Sequence, residues 1–226
     1  MLRAVIFDFD GVITDSEILH FRAFNQVLGK HGIEITLKEY YKKYLALRDL
    51  DCFKLLCCEG RLVVGAEGIE NLIGQKKQVY EKLAKTEGRI IEGVRYFLQM
   101  LEQNNIAMGI CSGSLLSEIE LILGEAQLRH FFDVIVSAEC IKESKPSPEG
   151  FVLALQKLNE KNQSVISADE CVVIEDSYWG LEAAKAAGMH TVAITNSYDA
   201  EQLSAAEKVV TNLSELSISD LQELCP

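Results

Sequence analysis

Leu2-Arg3-Ala4-Val5-Ile6-Phe7-Asp8-Phe9-Asp10-Gly11 is a run of strand length that passes without pause from apolar side chains into two carboxylates and a glycine. An apolar run of this kind predicts a buried strand, and an acid pair at its carboxyl end predicts a functional edge. Two carboxylates that close repel each other, so a hard divalent cation with oxygen ligands, or a raised pKa, is the expected remedy. Gly11 permits a sharp turn there.

Outward from this stretch, apolar runs recur at residues 106–111, 134–136, 171–174 and 191–194, with amphipathic helical patterns between the later ones. This alternation predicts a parallel sheet with helices on both faces. Residues 16–87 break the rhythm. They carry Ile18, Phe21, Phe24, Val27 and Leu28 at helical spacing, then further helical patterns at 40–47, 52–58 and 69–83, with no convincing strand. The expected organisation is an α/β core from residues 1–15 and 88–226 with a helical subdomain, 16–87, inserted after the first strand. Thr36-x-x-Glu39 and Ser167-x-x-Glu170 read as capping boxes, the second before only a short turn, and Pro148 suits a first helical turn.

The 226 residues include 22 basic and 34 acidic side chains, a net charge of −12 that disfavours nucleic acid and anionic membrane surfaces as partners. At 48% hydrophobic and 25% charged residues, the composition excludes disorder, collagen and a disulfide miniprotein. No apolar run reaches the roughly 20 residues of a membrane span, and acid at position 8 interrupts any signal-peptide core, so a cytosolic protein is expected. Cysteines 52, 57, 58, 111, 140, 171 and 225 form no C-x-x-C pair and are expected as reduced thiols, with Cys111 and Cys171 as buried filler.

Three further polar sets follow inferred strands. Cys171-Val172-Val173-Ile174 runs into Glu175-Asp176-Ser177, a second acid pair. Together the two pairs require a metal, and Mg²⁺ fits better than Zn²⁺ because no His or Cys accompanies the acids. Ile110-Cys111-Ser112-Gly113-Ser114 precedes a helix over 115–123, whose N-terminus and backbone N–H groups can hold an anion. Ser144-Lys145-Pro146-Ser147-Pro148 sets one ammonium in a stiff loop, where Lys145 can offset a carboxylate and a bound phosphate together. Singly each set has an ordinary explanation as a turn, a loop or a helix cap. In the order acid pair, hydroxyl, lysine, acid pair, they converge on a phosphoryl group.

With FDFDG, ICSGS, KPSPEGF and VVIEDS in these places, the sequence resembles the haloacid dehalogenase superfamily of phosphatases and phosphomutases over nearly its whole length. It is most similar to the β-phosphoglucomutase-like branch, through the helical insert, Thr14-Asp15-Ser16-Glu17 and His20-Phe21-Arg22-Ala23-Phe24. The resemblance implies a Rossmann-like core with an inserted α-helical cap. It implies Asp8 as nucleophile forming an aspartyl-phosphate, and Asp10 as acid and base whose backbone carbonyl helps bind Mg²⁺. Asp8, Asp176 and Glu175 would hold the ion, and Ser112, Gly113 and Lys145 would grip the phosphate. His20 and Arg48 would be cap residues, the first positioning the acid/base and the second binding a distal phosphate. Ordinary alternatives are a His20 that merely sits on a cap helix and an Arg48 paired with solvent or Asp49. An aspartate at position 10 favours phosphoryl transfer over halide displacement, because halide leaves without a proton. Leu115 and Leu116 stand where the mutase has a lysine and an asparagine, which favours a phosphatase.

The expected activity is therefore Mg²⁺-dependent hydrolysis of a small phosphorylated metabolite by a monomer or weak homodimer. A sugar-phosphate mutase is the nearest rival. A phospho-accepting receiver module is the rival from another class, disfavoured because a receiver has no comparable helical insert. Lys76 and Lys77 could attract an anionic substrate but read first as a solvated helix face, Tyr178 and Trp179 could line the site but read first as aromatics opening a helix and packing on the sheet, and His130 and His190 read as structural.

Overall fold

Residues 4–7 lose no favourable solvation by burial on both faces, since none carries a polar side chain, and they form the central strand of the sheet. The computed structural model describes residues 1–45, 47–163 and 165–225. Strand β1 (Ala4–Phe7) is followed by four helices, α1 (Glu17–Gly29), α2 (Leu37–Lys43), α3 (Asp49–Cys58) and α4 (Ala66–Glu87). The chain then runs α5 (Val94–Gln103), β2 (Ala107–Cys111), α6 (Leu116–Glu125), β3 (Val134–Val136), α7 (Glu149–Asn162), β4 (Cys171–Glu175), α8 (Tyr178–Ala186), β5 (His190–Ile194), β6 (Lys208–Val210) and α9 (Ile218–Leu224). The six strands lie in the order β3-β2-β1-β4-β5-β6, all parallel.

Alternation along the strands divides the core between the two faces. Val5, Phe7, Val172 and Ile174 pack with Phe97, Leu98 and Ile119 on one side, while Ala4, Ile6, Cys171 and Val173 meet Phe151, Ala154 and Ala183 on the other. The five expected strands are present, and the sheet gains a sixth, β6, at its edge. Cys111 and Cys171 are buried, and all seven cysteines are free thiols. Ser167 and Glu170 form a reciprocal cap on a single 3₁₀ turn before β4, and Thr36 accepts the Glu39 N–H at 3.2 Å.

The order reverses beside β1: the chain moves outward to β2 and β3, then returns to place β4 on the other flank of β1. A crevice forms at the carboxyl ends of strands that flank such a reversal. Both acid pairs sit there, one past each of these two strands.

Helices α1 to α4 form an inserted cap around their own apolar cluster, which includes Phe24, Leu28, Tyr44, Phe53, Leu56 and Leu72. The linkers in and out of it are tied together, with the Asp15 N–H donating to Arg89 O at 3.1 Å and the Ile91 N–H to Ile13 O at 3.0 Å. Among the described residues no helix is long and apolar enough to cross a membrane.

Candidate active site

Asp8 leaves β1 toward β4 and Lys145. The Lys145 ammonium donates to Asp8 Oδ1, to Glu175 Oε1 and, at 3.2 Å, to Cys111 O. Burial alone would lower the lysine's pKa, but Asp8 and Glu175 outweigh it and hold the group protonated. The second oxygen of Glu175 accepts from the N–H of Asp176, the N–H of Ser177 and the Ser177 hydroxyl at 3.1, 3.2 and 2.9 Å. Glu175 is thus held on both oxygens and fixes the Lys145 ammonium beside Asp8. Its closeness to α8 explains Gly180, where a Cβ would lie 1.8 Å from Glu175 Oε1.

Asp176 completes an acidic cluster: oxygens of Asp8, Glu175 and Asp176 all lie within 4.8 Å of one another, and all three residues are buried. Gly11 makes the approach possible, because it has φ +82° and a Cβ there would fall 1.8 Å from Asp176 Oδ2. Burial, with Glu175 beside it, pushes the Asp176 carboxyl up to about 8, and burial raises Asp8 well above the usual range against the pull of Lys145. Buried carboxylates that resist ionisation in this way, with oxygen donors only, suit a hard divalent cation, so the residues present fit the metal expected there.

Asp10 faces the opposite way. Its Oδ1 accepts from the Ser16 hydroxyl and from His20 Nε2 at 3.2 Å; its Oδ2 accepts from Ser114 at 2.5 Å and Ser112 at 3.4 Å. Burial would raise this carboxyl, yet the His20 ring and the hydroxyls of Ser114 and Ser16 outweigh it and pull the pKa down. Ser16 is the residue before α1, and its side chain serves Asp10 instead of capping that helix.

His20 is fixed from behind. It stacks on Tyr80 with ring centroids 4.0 Å apart, and Lys76 Nζ lies 2.6 Å from its Nδ1. An ammonium can only donate, so Nδ1 is the acceptor and Nε2 carries the hydrogen toward Asp10. Lys76 also pairs with Asp49 at 3.0 Å and Glu118 at 3.8 Å, and despite a burial penalty these acids raise its pKa. A single cavity joins both halves of the site, bounded by Asp8, Asp10, Lys145 and Asp176 on the core side and by His20 and Lys76 on the cap side.

The model of the haloacid dehalogenase-like hydrolases matches residues 5–194. The chain belongs to that family. It is 29% identical over 192 residues to a phosphorylated carbohydrates phosphatase of Thermotoga maritima, covering 84% of each chain. It is 28% identical to the β-phosphoglucomutase of Bacillus subtilis over 98% of this chain and 95% of that one. The crystal structure of a β-phosphoglucomutase from Clostridium difficile superposes with a TM-score of 0.86 at 27% identity, covering 99% and 97% of the two chains.

Within this haloacid dehalogenase-like hydrolase, Asp8, Asp10, Ser112, Gly113, Lys145, Glu175, Asp176 and His20 all gather at one sheet edge, but the expectations for Arg48 and Lys76 change. Asp10 gives no carboxylate oxygen to the acidic cluster, both its oxygens being committed to His20 and hydroxyls, which leaves the expectation that its backbone carbonyl would meet the ion untouched. Arg48, expected at a distal phosphate, is spent elsewhere: its guanidinium bonds Asp51 at 2.8 Å and the carbonyls of Ile141 and Lys142 at 2.7 and 2.6 Å, clasping cap to core. Its acid partner is Asp51, not Asp49. Lys76, expected on a solvated face, is 1% exposed and lies inside the site, whereas Lys77 beside it remains on the surface.

Tyr178 and Trp179 pack on each other at 4.0 Å and on Tyr198, away from the cavity lining. His190 pairs with Glu207 and His130 packs on Phe131, both remote from the chemistry. Ser16, Asp49, Tyr80, Ser114 and Glu118 belong to the site and were missed. Ser114 alone had a local signal, as a second hydroxyl in the Ser-Gly-Ser loop.

Proposed function

We propose that the chain is a Mg²⁺-dependent phosphomonoester hydrolase that works through an aspartyl-phosphate on Asp8, with residues 16–87 as the cap over a small phosphorylated metabolite. The observation that carries this reading is the opposite placement of two carboxylates two positions apart: Asp8 against Lys145 and the acid cluster, Asp10 against His20 and hydroxyls.

The ion would be held by Asp8 and Asp176, with Glu175 close by, and when bound it supplies positive charge against the phosphoryl oxygens. Asp8 attacks phosphorus through a carboxylate oxygen as the ester P–O bond breaks. Lys145 and the Gly113 N–H hold the phosphoryl oxygens. Asp10 gives a proton to the departing oxygen, then takes one from the water that attacks the phosphorus of the acyl phosphate, releasing phosphate and restoring Asp8. A substrate dianion beside Asp10 is a like charge that raises its pKa, so the carboxyl can enter the first step protonated.

Phosphate release from p-nitrophenyl phosphate with Mg²⁺, by the native chain and by Asp8→Asn, tests the proposal. Turnover by the native chain and none by a folded Asp8→Asn is expected; near-normal turnover by the variant removes Asp8 as nucleophile. The kinship to β-phosphoglucomutase favours a second reading, in which the phosphoryl group passes to a sugar. Interconversion of sugar phosphates with negligible phosphate release would establish it over hydrolysis.

A further inference from the structure

The wall of the cavity opposite the acidic cluster has a charge balance that the reaction itself does not explain. Asp49 and Glu118 both line it, one from the first turn of α3 and one from α6, and between them they face a single cation, Lys76. One oxygen of each acid is already used, Asp49 Oδ1 by Lys76 and Glu118 Oε2 by the Leu115 N–H at 3.0 Å. The other oxygens, Asp49 Oδ2 and Glu118 Oε1, are buried and accept no hydrogen bond, Glu118 Oε1 having only the Lys76 ammonium 3.8 Å away. Glu118 is 1% exposed, so water does not serve it freely. A buried carboxylate oxygen without a donor is costly, and such a pair on a cavity wall is suited to donors that arrive with a ligand.

Among the described residues lining the cavity, the lysines are Lys76 and Lys145, and no arginine is present. Lys145 belongs to the transferring phosphate. Lys76 is shared between two acids, and Arg48 is bound to Asp51 and two carbonyls.

Resting on the hydrolase reading above, we infer that Asp49 and Glu118 select the leaving group: they accept hydrogen bonds from hydroxyls of a neutral polyol or sugar and repel a substrate that carries a second phosphate or a carboxylate. Specificity then comes as much from rejection as from attraction, since a second anion would be buried beside two carboxylates that already share the one ammonium of that wall.

The test compares kcat/KM for glycerol 3-phosphate and 3-phosphoglycerate, which differ in a hydroxymethyl against a carboxylate, with p-nitrophenyl phosphate as a control for the reaction itself. The native chain with Mg²⁺ is expected to prefer glycerol 3-phosphate by at least about tenfold, the scale of one like-charge contact a few ångströms away in a partly dry site. Asp49→Asn is expected to shrink that preference by about threefold or more, and Glu118→Gln to move it the same way. General damage to the fold lowers both rates and leaves their ratio alone. Equal use of the two esters, refusal of both while p-nitrophenyl phosphate is hydrolysed, or an unmoved ratio in whichever variants fold overturns the inference. Failure to hydrolyse all three esters overturns the hydrolase reading, and this inference with it.

Discussion

Lys76→Met removes one ammonium and little else, since the two side chains have similar length and shape. In the native chain that ammonium is 2.6 Å from His20 Nδ1, 3.0 Å from Asp49 and 3.8 Å from Glu118, with only 2% of its side chain exposed. Leaving a buried charge without its partner costs about 3–5 kcal/mol. Here the loss has a release. Lys76 and Asp49 lie in the cap and Glu118 in the core, so parting the two rehydrates both acids without unfolding either. The penalty therefore falls on cap closure. At about 1.36 kcal/mol per factor of ten, it shifts the balance between closed and open forms by roughly two to four powers of ten.

Parting the cap from the core would draw His20 away from Asp10, so kcat/KM for glycerol 3-phosphate, an alkyl ester whose leaving oxygen needs a proton, is expected to fall about a hundredfold or more. Global unfolding would instead show the same energy as a loss of roughly 6–20 °C in Tm for a chain of this size. The expected result is a large kinetic loss with a Tm decrease below about 6 °C, measured by steady-state kinetics and calorimetry on the same preparations. A variant with kcat/KM within about threefold of native would refute the reasoning, as would a Tm drop beyond about 10 °C with unchanged activity per folded molecule.

Three other perturbations have determinate signs. Asp176→Ala should raise the Mg²⁺ concentration for half-maximal activity by at least roughly tenfold, about 1.4 kcal/mol of ion binding, and an unchanged titration removes Asp176 from the metal site. With chelator present, the Asp176 pKa of about 8 in the fold exceeds its value of about 3.9 in the unfolded chain, so the folded state binds more protons between them and stability should fall as pH rises from about 4 to about 8. Excess Mg²⁺ should flatten that slope; urea midpoints that stay level or rise in chelator contradict it. Gly180→Ala, whose Cβ would stand 1.8 Å from Glu175 Oε1, should swing Glu175 off Lys145, costing about 1–3 kcal/mol of stability and most of kcat; native kcat in the variant would show that Glu175 does not aim the lysine.

The core half of the site was legible because its signals are local. A strand that is apolar along its length and turns acidic at its carboxyl end places its carboxylates at a known edge, and this happens at both Asp8 and Glu175. Lys76 was illegible for the same reason in reverse. On α4 it has the spacing of any polar face, and its burial depends on Asp49 and Glu118, which lie in other segments. Charged residues are seldom buried without partners, and partners remote in sequence leave no periodic trace. Arg48 shows the converse, since its guanidinium is consumed by carbonyls of residues 141 and 142 that no side-chain pattern could announce. Strand β6 escaped because three residues at a sheet edge, one of them Lys208, carry too short an apolar run to register.

The two aspartates on either side of Phe9 show how one turn of chain serves two kinds of chemistry. The contacts that hold Asp8 come from the core residues Lys145, Glu175 and Asp176, so in the proposed mechanism it would be ready to attack whether or not His20 is in place. Asp10 depends on both parts: Ser112 and Ser114 come from the core, while Ser16 and His20 come from the start of the cap. On the same reading, a cap that opened would withdraw His20 and leave Asp10 with fewer donors, so its readiness for proton transfer would vary with closure while that of Asp8 would not. A phosphoryl group could then be captured by Asp8 in a partly open site, but the proton it needs to give or receive moves efficiently only once the cap has shut bulk water out.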